Sequence, residues 1–110
     1  MSFYSKVQDL VYPLGLELSY GSFQVLDNEL PDFPTLVYLE DESYYTVADD
    51  RNYYKEKNWI LEYYFINKNE SLEDELEQAL QEGGFIFTST EDIYIKEERI
   101  YLKTYFVSEV

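Results

Sequence analysis

Three pairs of adjacent acids are the first candidates for chemistry: Asp41–Glu42, Asp49–Asp50 and Glu97–Glu98. Two carboxylates can hold a divalent cation, or divide acid and base roles at a glycosidic bond. Either task needs both groups aimed at one point, whereas neighbouring residues of a strand point to opposite faces. All three pairs fall where turns are expected, so they read as solvated turn charge. The usual partners of such acids are missing. The chain has no histidine and no cysteine. That removes Ser-His-Asp and Cys-His nucleophiles, thiolate zinc ligands and disulfides. No GxxxxGK[ST] or GxGxxG motif occurs, and Gly83–Gly84 reads as a helix stop. The expectation is a protein that is not an enzyme and takes no metal or cofactor.

Tyrosine is the second conspicuous residue type, with 13 copies beside 7 phenylalanines. Its apolar body and wet tip suit strands and interfaces. Three Tyr-Tyr pairs occur, at 44–45, 53–54 and 63–64. In a strand each pair puts one ring on each face, so one ring of a pair can enter a core while its neighbour meets a helix, a partner or water. Any single tyrosine reads as strand filler. The three pairs together predict an exposed aromatic surface and hence an interface, without naming its partner.

The elements that position these residues follow from periodicity. Phe3, Val7, Leu10 and Val11 recur at helical spacing before Pro13, which predicts a short helix over 2–12. LELSYGSF, within 14–25, reads as a strand weakened by its glycines, and 27–34 as a loop. TLVYLE (35–40) and YYTVA (44–48) read as strands flanking a turn. DDRN then turns the chain into a long extended run over 53–67, in which Trp59, Leu61, Tyr63 and Phe65 share one face. Its other face is also largely apolar, which predicts a central strand. Leu72, Leu76, Ala79 and Leu80 mark a second helix, with Ser71 as its N-cap, Asp74 three residues on, and acids in the first turn. Gly83 is the expected left-handed stop. FIFTST (85–90), IYI (93–95), a KEER turn and IYLKTYFV (100–107) complete the chain. The fold class is α+β: a mostly antiparallel β-sheet with two short α-helices in the order α-β-β-β-β-α-β-β, helix packed on the sheet.

At 110 residues the chain makes a single domain over 1–110, burying roughly two-thirds of its unfolded surface. Hydrophobic residues are 45%, enough for a core despite 23 acids against 8 bases and a net charge of −15. That charge argues against direct nucleic-acid affinity and against an anionic membrane, because phosphate contacts need a basic footprint. The N-terminal run has neither a basic start nor a continuous apolar core, so no signal peptide is expected, and no stretch approaches a membrane span. Residues 1–50 hold ten acids and one base, Lys6. The default reading is a solvated acidic face. Two sharper readings are mimicry of DNA phosphates, to block a nucleic-acid-binding protein, and a passage through which DNA slides without adsorbing.

Taken in order, several motifs resemble a known group. These are an early helix and a "YG" strand (Tyr20–Gly21), then Phe33, Pro34, Leu36, Val37 and Tyr38, then Tyr45-Thr46-Val47-Ala48-Asp49. Ile60-Leu61-Glu62-Tyr63-Tyr64 follows, with a Lys/Asn turn at 67–69 and an acidic helix from Glu73 to Leu80. Gly84–Phe85 and a closing hairpin through Tyr94-Ile95, Tyr101 and Tyr105-Phe106-Val107 end the series. From about residue 14 to 107 the chain resembles the small tail completion, tail terminator or tail-to-head joining proteins of siphophages and prophages of Gram-positive bacteria. The segment from Leu26 to Phe33 carries more acid and proline than that pattern. The resemblance implies a structural virion assembly protein of the bacteriophage head–tail junction, found in the host cytoplasm during assembly and then in the virion. It implies a self-associating homo-oligomer, a hexameric ring, that caps the tail tube protein and meets the head completion or connector protein. Under it, Tyr44, Tyr45, Tyr53 and Tyr54 lie at a subunit or tube contact. The acidic turn of Glu40, Asp41, Glu42, Asp49 and Asp50 faces the lumen or tube. The alternative is a small acidic DNA-mimic inhibitor of a nucleic-acid-processing protein.

Overall fold

Ser2 opens the first helix by accepting a hydrogen bond from the Ser5 amide, and α1 runs from Phe3 to Val11 in the computed structural model. The structure describes residues 2–21, 33–41 and 58–109. Pro13 has no amide to continue the helix, so Tyr12–Leu14 tightens into a 3-10 turn ending on left-handed Gly15. The strands are β1 (Leu18–Tyr20), β2 (Thr35–Glu40), β3 (Asn58–Phe65), β4 (Phe85–Ser89), β5 (Ile93–Ile95) and β6 (Ile100–Glu109). Helix α2 (Glu70–Glu82) lies between β3 and β4 in the chain. None of the described helices is long and apolar enough to cross a membrane.

The strands form one sheet in the order β1-β2-β3-β6-β4, with β5 also on β6. All pairs are antiparallel except β1 with β2. The α+β reading holds, with helices packed on one face of a mostly antiparallel sheet. Three strands follow α2, where the expected order counts two, because β4 and β5 lie end to end along the same edge of β6. Ser89 pairs Tyr105 and Ile93 pairs Leu102, so three residues (90–92) face two (103 and 104). That extra residue is a β-bulge, and the Thr104 amide donates to the Thr90 hydroxyl across it.

Register sorts the side chains. Leu36, Leu61, Tyr63, Phe65, Tyr105 and Val107 point to the helix side and are buried. Leu76 and Leu80 of α2, with Phe3, Val7 and Val11 of α1, close the core over them. Phe3 is its aromatic centre. Its ring stacks on Trp59 at 4.4 Å and 12°, and meets Phe85 edge-on at 5.6 Å and 81°. The expected face of Trp59, Leu61, Tyr63 and Phe65 is therefore the core face, and β3 is central.

Several local expectations need correction. The N-cap of α2 is Asn69, whose side chain accepts from the Leu72 amide at 3.1 Å, and Ser71 sits inside the first turn. Asn caps as well as Ser, and starting two residues earlier brings Glu70 into the positive end of the helix. Gly83 has φ −79°, so it is not the left-handed residue; Gly84, at φ +87°, is. Gly83 serves packing instead, since a Cβ there would lie 2.6 Å from Leu10 Cδ1 where α1 meets α2. Gly84→Ala is accordingly expected to cost about 1–2 kcal/mol through backbone strain alone, read from the urea midpoint, because nothing crowds its Cβ position. The strand expected in LELSYGSF covers only Leu18–Tyr20, ended by Gly21 at φ +79°. The run expected to 67 leaves the sheet after Phe65, and the closing strand continues to Glu109. The strand expected at 44–48 and residues 53–57 lie outside the described residues.

Candidate functional site

Glu40, at the end of β2, is exposed, whereas Asp41 beside it is buried and its amide donates to the Asn58 carbonyl. Glu42, Tyr44, Tyr45, Asp49, Asp50, Tyr53 and Tyr54 lie outside the described residues. Asp41, Asn58, Ile86, Thr88, Phe106 and Ser108 line a groove of about 180 Å³ on the sheet face opposite the helices. Ser108 donates to Asn58 across it. Glu97 and Glu98 are exposed in the β5–β6 turn, as solvated turn charge should be.

The polar cluster that the structure does assemble lies under α2, where periodicity alone suggests only core. Glu73 is 4% exposed, and its Oε1 accepts from Lys68 at 2.8 Å and Lys103 at 3.1 Å. Lys68 also reaches Asp92 at 2.9 Å, and Lys103 approaches Glu77 at 3.6 Å. Glu77 in turn accepts from the Tyr105 hydroxyl at 2.9 Å. Glu73 Oε2 and the Tyr63 hydroxyl are buried without a hydrogen-bond partner among the described residues. A sequence signal existed. Glu73 stands at helical spacing from Leu76 and Leu80, and Lys103 alternates with Tyr101, Tyr105 and Val107.

The chemistry of this cluster is that of a clamp. Burial, then the Glu73 carboxylate nearby, pushes the Tyr63 phenol up to about 12. Burial and then the bond to Glu77 push the Tyr105 phenol well above the usual tyrosine range. Both hydroxyls therefore stay protonated at neutral pH, and that of Tyr105 donates to Glu77. For Lys68, desolvation works against the charge, but hydrogen bonds to Glu73 and Asp92 outweigh it and hold the ammonium above its ordinary value.

A pH dependence follows with a definite sign. Unfolded tyrosines ionise from about pH 10, while folded Tyr63 and Tyr105 hold their protons, so the unfolded chain binds fewer protons and stability falls as pH rises. Lys68 acts the same way: its contribution is complete below the unfolded lysine value and is lost as pH climbs through the raised one. The urea midpoint is expected to drop between about pH 10 and pH 12. The phenolate absorbance of the buried tyrosines is expected to appear together with unfolding; a midpoint flat across that window would contradict the clamp.

Exposed apolar surface lies elsewhere. Ile86, Ile93 and Phe106 are exposed on the face opposite the helices, at 61%, 53% and 39%. On the helix side the ring ladder from Tyr63 through Phe65 to Tyr101 and Tyr94 ends in solvent. Scattered apolar exposure is ordinary. Here it flanks an outer strand, Phe85–Ser89, that has no charge.

No family model matches the sequence, and no curated protein matches it.

Proposed function

We propose that this chain is a non-enzymatic virion assembly protein of the bacteriophage head–tail junction. In this reading it forms a ring, six copies, that terminates the tail tube and joins it to the head connector. The acidic lumen lets DNA pass without adsorbing. The observation that carries the reading is an uncharged, exposed sheet edge beside exposed Ile86 and Phe106, on a chain of net charge −15. A freely soluble monomer commonly protects such an edge with lysine or proline, and Phe85–Ser89 has neither, whereas an assembly subunit uses the edge. The motif series from Tyr20 to Val107 supports the phage assignment. The clamp under α2 fits a subunit whose charges hold it rigid rather than turn over a substrate.

Native mass across a concentration series, at low and high salt and with and without the phage's tail tube protein, tests the reading. A closed ring, alone or on the tube end, is the expected result. A monomer that ignores the tube would overturn it. If that monomer bound a nucleic-acid enzyme in a strongly salt-dependent way, the DNA-mimic alternative would take its place.

A further inference from the structure

Both ends of the sheet order β1-β2-β3-β6-β4 are open among the described residues. The β4 edge is regular over five residues, because the bulge lies beyond it at 90–92. The β1 edge is three residues long and ends on Tyr20, 62% exposed. Each edge has its own helix: α1 packs against β1, and α2 against β4. These helices differ sharply in charge. Helix α2 carries six acids and no base, whereas α1 carries only Lys6 and Asp9.

Two pairings between copies can be compared. Joining β4 to β4 about a two-fold axis would set two acidic α2 helices side by side, and like charge opposes that. Joining β4 to β1 sets α2 beside the nearly neutral α1. Strand direction agrees with the second. Following the pairs across the sheet, β1 runs with β2, against β3, with β6 and against β4. A neighbour in the same orientation therefore offers β1 antiparallel to β4, with all helices on one side.

We infer that copies of this chain associate head to tail, the β4 edge of one adding antiparallel to the β1 edge of the next. This rests on the proposed ring-forming function and names its joint. The two surfaces differ, so each addition leaves one of each free until the ring closes. Closure covers the β1 and β4 edges of every copy.

The lack of cysteine makes a clean test possible. Ser19, opposite Val37, and Ile86 and Thr88, opposite Ser108 and Phe106, all lie on the face away from the helices. Ser19→Cys protein is mixed with Ile86→Cys or Thr88→Cys protein under mild oxidation, with and without the tube protein. The two β4 positions sample neighbouring registers within disulfide reach. The expected result is a disulfide dimer in at least one mixture, about tenfold above any single variant alone. Dimers from Ile86→Cys or Thr88→Cys alone would overturn the inference in favour of the two-fold pairing. Native mass of the unmodified chain is read in parallel. Oligomers by mass with no cross-link in either mixture overturn the joint but leave the ring; a monomer throughout overturns both.

Discussion

Phe3→Ala is expected to lower the free energy of unfolding by about 3–5 kcal/mol, the range for emptying a buried aromatic site. The ring is 3% exposed and touches Trp59, Phe85 and Tyr38, from β3, β4 and β2. Its loss removes area burial and three ring contacts at once, and the cavity can collapse little because the sheet beneath is hydrogen-bonded. The effect should also be local in a characteristic way. Helix α1 is held to the sheet by Phe3, Val7 and Val11, with a peripheral ion pair from Lys6 to Glu109 at 2.9 Å. Urea unfolding measures the loss, and hydrogen exchange should show α1 amides losing protection before those of β3 and β6. A loss under about 1 kcal/mol would mean that α1 is not part of the cooperative core.

Lys103→Met is expected to cost about 2–4 kcal/mol, more than its single charge suggests. The lysine is 16% exposed at its side chain, and the substitution leaves Glu73, at 5%, facing Lys68 alone. An underpaired buried carboxylate carries a desolvation penalty that the intact pair offsets. The double variant Glu73→Leu with Lys103→Met is therefore expected to recover to within about 1 kcal/mol of the parent, since an apolar pair of similar size removes the penalty altogether. Lys68→Met should be milder, because Lys68 is 42% exposed at its side chain and water takes part in screening it. Additive losses in the double variant would show that Glu73 and Lys103 do not act as a pair.

Phe3 and Lys103 also mark how far the linear chain can be read. The helical spacing of Phe3, Val7 and Val11, and the alternation through Trp59, Leu61, Tyr63 and Phe65, are local regularities that any core must obey. They determine the two helices, the strand faces and the α+β class before any contact is known. The missing histidine and cysteine, and the charge of −15, are equally properties of the chain alone. They limit its chemistry without reference to fold. The acid pairs illustrate the limit of such reading: Glu97–Glu98 stays in a turn as expected, while Asp41, read as turn charge in the same way, is buried beside Asn58.

What the tertiary structure decided has a common origin in distance along the chain. Glu73 reads as first-turn charge suited to the helix dipole; it becomes a buried clamp only because β6 brings Lys103 beneath it from thirty residues away. Gly83 reads as a turn residue, yet its smallness is used by Leu10 of the other helix. The parallel pairing of β1 with β2, and the bulge that splits β4 from β5, depend on partners that no local period encodes. Periodicity reports which side of an element is apolar. Which polar groups that side can bury is set by the partner strand, because a charge leaves water only where an opposite charge is already waiting.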